Sequence, residues 1–170
     1  MPPRNLMLET TNYCNASCVM CGHKDMKRTK GHMPMADFKK IIEDAKDCGV
    51  AWITLQGYGE PLLDKEIHGK IAFAKKQDMR VSFNTNASLL DSDCSRKLIE
   101  SGLDEIFISM DAWSKENFEK IRAPLDYDTV TGNIEDLLSM KRSLGSDVPR
   151  VSMTYVIQDG NEAEVGDFVS

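Results

Sequence analysis

Cys14, Cys18 and Cys21 stand in the spacing CxxxCxxC directly after an extended apolar run. Three thiolates are one fewer than the four that normally hold a cubane iron–sulfur cluster. A four-iron cluster bound here would therefore keep one iron open to an outside ligand, and an open iron is where chemistry can happen. The same thiolates together with His23, two residues after Cys21, would also make a structural zinc set of soft sulfur plus imidazole. The other two of the five cysteines read differently. Cys48 continues the helical series Phe38, Ile41, Ile42, Ala45, and Cys94 precedes Leu98 by one helical turn, so both are expected as core thiols.

The elements that must position these residues alternate. Residues 6–10, 51–56, 79–84, 105–110 and 150–157 read as strands. Between them lie helical patterns. The first spans about 35–48 behind Pro34, and a second begins at Asp64 with Ile67, Ile71 and Ala74 on one face. A third is capped by Asp91 or Ser92 and stopped by Gly102, and a short one is capped by Ser114. A longer helix carries Val130, Ile134, Leu137 and Leu138, with Gly145 past its end. Strand–helix alternation implies an α/β fold with a parallel sheet covered by helices. From Asn161 a last helix starts with Val165, Phe168 and Val169; its apolar face is expected to need further packing, so the chain reads as an incomplete domain.

In parallel α/β sheets ligands bind outside the carboxyl ends of the strands. On that rim fall the cysteine loop, then Gln56-Gly57-Tyr58-Gly59-Glu60-Pro61, Asn84-Thr85-Asn86, Ser109-Met110-Asp111 and Gln158-Asp159-Gly160-Asn161. Glycines around Tyr58 let backbone approach a ligand, and Glu60 can add a carboxylate; a plain strand-to-helix turn explains the same segment equally well. Asp111 could instead cap the helix that starts near Ser114, Ser109 could be a satisfied strand-end hydroxyl, and a lone arginine such as Arg122 is usually a surface charge. The coincidence of all these clusters on one rim carries more weight than any one of them.

The 170 residues suit a single domain, with 41% hydrophobic and 28% charged residues and a net charge of -6. That sign argues against nucleic acid as the main partner. No run approaches the roughly 20 apolar residues of a membrane helix, and Met1-Pro2-Pro3-Arg4 lacks a secretory core, so a cytoplasmic protein without a membrane partner is expected. Lys24, Lys27, Arg28 and Lys30 form a basic cluster read as a solvated loop rather than an anion lid.

The cysteine loop and the four strand-end motifs together resemble the radical S-adenosylmethionine (SAM) superfamily, over essentially the whole chain from Leu8 to Val169. Glu9-Thr-Thr-Asn-Tyr-Cys14, Gly57-Tyr-Gly-Glu-Pro-Leu62, Thr85-Asn86, Ile108-Ser-Met-Asp111 and Ile121-Arg122 are similar to the branch that often carries a C-terminal SPASM or twitch extension. Two features depart from the pattern: Met20 stands where an aromatic residue often precedes the third cysteine, and a second glycine-rich signature is reduced to Gly160-Asn161. The resemblance implies a partial TIM barrel, (β/α)5 as given and (β/α)6 when complete, with residues 1–170 as the core domain. It implies a [4Fe-4S] cluster on Cys14, Cys18 and Cys21, with SAM chelating the fourth iron. Gly57, Tyr58, Gly59 and Glu60 would contact the methionyl amine, Ser109 and Asp111 the ribose or carboxylate, and Arg122 the carboxylate. Asn86 would lie near the ligand, and Val156 and Ile157 would meet the adenine. The implied activity is reductive cleavage of SAM to a 5′-deoxyadenosyl radical that takes hydrogen from a peptide or small-molecule substrate, fed by a flavodoxin- or ferredoxin-type electron donor. A non-catalytic iron–sulfur or zinc module is the alternative.

Overall fold

The computed structural model describes residues 4–169. Its centre is a sheet of five parallel strands in sequence order: β1 (Asn5–Leu8), β2 (Trp52–Leu55), β3 (Arg80–Thr85), β4 (Glu105–Ser109) and β5 (Arg150–Thr154). Each neighbour pair is parallel, with Leu8 beside Leu55, Leu55 beside Phe83, Phe83 beside Ile106 and Ile106 beside Val151. Parallel neighbours need long crossovers, and here each crossover carries helix. These are α1 (Met35–Asp47), α2 (Ile67–Lys76), α3 (Ser92–Glu100), then α4 (Lys115–Ile121) and α5 (Tyr127–Leu144) together; α6 (Val165–Val169) follows β5.

Alternation along the strands sorts the two faces of the sheet. Ile53, Leu55, Val81, Phe83, Ile106 and Ile108 are fully buried, and they join Phe38, Ile42, Ile71, Leu98, Phe118 and Val130 from the helices in one core. Among the described residues no helix packs on the other face. It presents Thr54, Ser82, Asn84, Phe107, Ser109, Ser152 and Thr154, and its floor is crossed by Arg80 and Arg150 flanking the buried Glu105 at 3.5 and 2.9 Å. The chain is thus a sector of a barrel wall whose inner face mixes these polar side chains with Met7, Trp52 and Phe107.

Local chemistry sets the element ends. Asp91, Ser114 and Asp126 each accept from the backbone N–H three residues on, which satisfies a first-turn donor of α3, α4 and α5. Gly145 closes α5 in the left-handed conformation. Ser114 therefore caps α4, and Asp111 does not. Three expectations need correction. Cys48 is exposed, because α1 stops at Asp47 and the turn at Gly49 (φ 81°) carries the chain away before another core position is reached. Asp64 does not begin α2, which starts at Ile67; it is buried, accepts from Glu66 N–H at 3.0 Å and pairs with buried Lys70 at 2.6 Å. The fifth strand ends at Thr154, since the next backbone donor, Val156 N–H, turns to the Asp111 carboxylate. His68 on α2 is half-buried, its Nε2 lying 3.8 Å from the Cys94 sulfur.

Candidate cofactor site on the strand-end rim

The cysteine loop leaves β1 and is closed on itself by Asn12. Its buried side chain donates to the Thr29 carbonyl at 3.0 Å and accepts from Gly31 N–H at 2.7 Å, while its own carbonyl lies 3.0 Å from His23 Nε2. That contact orients the His23 ring against the loop backbone. Cys21 Sγ accepts from His23 N–H at 3.4 Å and opens the 3-10 turn Gly22–Asp25. On the other side the loop runs beside the end of α4. Ser17 N–H donates to the Ala123 carbonyl at 2.7 Å and Val19 N–H to the Ile121 carbonyl at 2.9 Å, so Cys18 and Arg122 face each other between the two bonds.

The second rim segment is tied to the first from beneath. Tyr58 N–H donates to Glu9 Oε1 at 2.6 Å, and Glu9 also pairs with Arg28 at 2.8 Å. A Cβ at Gly57 would collide with the Glu9 carboxylate, and one at Gly59 with the Thr11 carbonyl. Here both glycines serve the close approach of two protein segments to each other. Arg28 is accordingly a strap over the Tyr58 ring rather than a free loop charge. Glu60 is buried, and its carboxylate accepts from Leu62 N–H at 3.2 Å, Thr85 Oγ1 at 2.6 Å and Asn86 N–H at 2.8 Å. Burial pushes its pKa up, and the donors from Asn86, Thr85 and Leu62 offset part of that rise. Asn86 donates from its side chain to Asn15 at 2.9 Å, and Asn15 donates in turn to Ser88 at 2.8 Å.

The third segment carries the charge. Asp111 is fully buried with φ 58°, in the left-handed region where Asp is one of the few tolerated side chains. Its carboxylate pairs with Arg122 Nη2 and accepts from Val156 N–H at 2.7 Å. Its carbonyl accepts from the buried Asn161 amide at 2.8 Å. Arg122 is 8% exposed; its Nη1 lies 3.7 Å from Cys18 Sγ, and its Nε is buried with no partner among the described residues. It is no surface charge. Glu164 fastens the segment from outside by accepting from Trp113 N–H at 2.8 Å and Asn117 Nδ2 at 2.7 Å.

These segments enclose one cavity of about 470 Å3. Cys14, Cys18 and Cys21 line it together with Gly57, Tyr58, Gly59, Glu60, Asn86, Ser109, Asp111, Arg122 and Val156. The rim clusters after the first four strands reach it, apart from Pro61 and Met110, but the one after β5 does not: Gln158, Asp159, Gly160 and the buried Asn161 lie outside the lining, as does Ile157, which is 63% exposed. A larger depression of about 650 Å3, between α1 and the return of the cysteine loop, contains no cysteine. Burial raises the Cys14 and Cys18 thiols above their ordinary pKa, with Arg122 pulling Cys18 partly back. Cys94 is pushed up to about 12 by burial, which makes it an inert thiol.

The donor set suits a cluster better than a single ion. Among the described residues no three His, Cys, Asp or Glu side chains are grouped to hold one metal ion. Cubane ligands need not converge in that way, because each thiolate binds a different corner. Three half-buried free thiols and a buried guanidinium whose Nε has no partner among the described residues, all on one cavity, fit a cluster that shares its pocket with an anionic ligand. Sequence reasoning named Glu9, Asn12 and Asn161 only as members of motifs, with no partner assigned, and missed Asn15 and Glu164; these polar residues hold the rim together.

Comparison with known proteins agrees with this geometry. The family model described as the Radical SAM superfamily matches residues 8–170. A probable GTP 3′,8-cyclase of Methanothermobacter thermautotrophicus is 30% identical over 167 residues, covering 98% of this chain and 52% of that protein. The PqqA peptide cyclase of Granulibacter bethesdensis is 29% identical over 121 residues, 71% of this chain and 32% of its own length. The crystal structure of Streptococcus suis SuiB bound to S-adenosylmethionine aligns with TM-score 0.80 at 19% identity, over 98% of this chain and 37% of SuiB. SuiB bound to its precursor peptide SuiA gives 0.81 at 17% identity. The chain spans about half the length, or less, of the curated relatives it matches.

Proposed function

This chain belongs to the radical SAM superfamily, and on that premise we propose that residues 1–170 form the core domain of an enzyme that cleaves SAM reductively. The family's cofactors are a [4Fe-4S] cluster and SAM. When bound, the reduced cluster supplies one electron that breaks the sulfonium carbon–sulfur bond, giving methionine and a 5′-deoxyadenosyl radical that takes hydrogen from the substrate.

Cys14, Cys18 and Cys21 hold the cluster in this reading. The observation that carries it is that all three thiols line one cavity with the residues of four separate strand-end segments. Ser109 offers a hydroxyl to the ribose, and Arg122 offers its unpaired Nε to the SAM carboxylate. Gly57, Tyr58 and Gly59 present backbone to the methionyl amine. Val156 covers the adenine. Glu60 and Asn86 act through the fold: three donors hold the carboxylate, and the amide is spent on Asn15 and Ser88. Their part is to keep the second and third segments at the right height around the ligand.

The substrate is an organic molecule with an abstractable hydrogen, a peptide side chain or a small molecule. A peptide is favoured by the likeness to a peptide cyclase. An electron donor of flavodoxin or ferredoxin type completes the cycle. A reducing cytoplasmic setting suits five free cysteines and such a carrier; among the described residues no helix is long and apolar enough to cross a membrane. The test is anaerobic reconstitution with iron and sulfide, reduction with dithionite and addition of SAM. Stoichiometric iron and sulfide with 5′-deoxyadenosine in the product mixture are expected. Tightly held zinc with no deoxyadenosine would overturn the reading.

A further inference from the structure

Arg122 sits opposite Cys18 because the backbone bonds Ser17 N–H to Ala123 and Val19 N–H to Ile121 fix the register on both sides of the pair. Its guanidinium is pinned between two groups, the Asp111 carboxylate through Nη2 and the Cys18 sulfur through Nη1 at 3.7 Å. Asp111 is itself held by Val156 N–H at 2.7 Å and by the Asn161 amide on its carbonyl at 2.8 Å, so neither end of the bridge is free to swing away. All three members are buried or half-buried, where charge is poorly screened.

We propose that the Asp111–Arg122 pair sets the reduction potential of the cluster through the Cys18 sulfur, with Arg122 as the positioning residue that raises it and Asp111 as the counter-charge that moderates it. The inference rests on the reading that Cys18 is a cluster ligand. A one-electron reduction adds negative charge to the cluster and its thiolates. A cationic donor on a ligand sulfur stabilises that reduced form more than the oxidised one, and so raises the potential. The Asp111 carboxylate acts in the opposite direction by neutralising the cation. Two residues in direct contact should therefore have effects of opposite sign, which a merely structural pair would not. The free Nε of Arg122 points to a separate contact with a ligand carboxylate and is not needed for this effect.

The experiment is a dithionite titration with redox mediators, followed by the electron paramagnetic resonance of the reduced cluster, on reconstituted protein without SAM. Arg122→Gln is expected to lower the ratio of reduced to oxidised cluster at a fixed potential by about tenfold, the equivalent of one charge-assisted hydrogen bond. For one electron that is about 59 mV. Asp111→Asn, which keeps a residue that tolerates the left-handed turn, is expected to move the ratio the other way. Arg122→Lys, which keeps the charge, should stay closer to wild type than Arg122→Gln; it carries the test with Asp111→Asn if the glutamine variant does not hold iron. An unmoved midpoint in the loaded variants, or shifts of the same sign for the arginine and aspartate changes, overturns the inference alone. A wild-type chain that takes up no iron and sulfide overturns the underlying reading instead.

Discussion

The two sides of the rim use their polar residues in opposite ways. Around β2 and β3, Gly57, Gly59, Glu60 and Asn86 are spent on neighbouring protein groups: Glu9, the Thr11 and Tyr13 backbone, Thr85 and Asn15. Around β4 and β5, Asp111 and Arg122 form a buried charge pair that touches Cys18 and still leaves one donor unsatisfied. On the first side the Glu60 and Asn86 side chains are architecture, and what the proposed ligand would meet there is backbone. The second side is available to that ligand. A recognisable motif and an available functional group are thus different properties, and here they sit on opposite walls of one cavity.

Removing a thiol tests what both walls serve. Cys14→Ala should reduce bound iron, cluster absorbance and deoxyadenosine formation to background together; retention of all three would remove Cys14 from the ligand set. Glu60→Ala tests the architectural wall. It strands three donors, and chemical denaturation should record a loss on the order of 3 kcal/mol. SAM affinity should fall with stability rather than apart from it. A variant as stable as wild type that loses only SAM binding would return Glu60 to a direct ligand role.

The Glu60 carboxyl also gives a pH signature. Burial raises its folded pKa above the ordinary 4.5, so the charged form is the one disfavoured by folding. Its stabilising contribution is present below the unfolded value and is lost as pH rises through the folded one. Wild-type stability should therefore decline relative to Glu60→Gln as pH climbs from 4.5 through that raised value, and a difference flat with pH would contradict the burial argument. Asn15→Ala removes one acceptor and one donor that tie the cysteine loop to the end of β3, and should cost about 1 kcal/mol in the same denaturation measurement. Arg28→Ala breaks an ion pair whose arginine is 57% exposed and should cost less than about 1 kcal/mol, with cluster content unchanged. A larger loss would make the strap over Tyr58 part of the site.

Much of this molecule is legible from residue order, for physical reasons that also mark where reading fails. Alternating apolar runs and local caps such as Asp91, Ser114 and Gly145 fall within a few residues of the elements they define, so periodicity reveals them. The candidate ligands were likewise visible, because strand ends gather on one rim. What holds the rim was not visible. Asn12 closes onto Thr29 and Gly31, Asn15 onto Asn86, and Asn161 and Glu164 return to Asp111 and Trp113 across about fifty residues. Single polar side chains with distant partners leave no spacing to read. Cys48 failed for the reverse reason: its spacing promised a buried face, but the helix ended one residue before it.

Asp111 leaves little room for exchange. Among the residues that enter a left-handed turn with little penalty, glycine and asparagine carry no charge, and glutamate would bring the charge on a longer arm. Any replacement that keeps the bend thus silences the partner of Arg122, while a replacement that keeps the anion must reshape the wall around it. The position couples main-chain shape to electrical balance, so it has no neutral neighbour in sequence space.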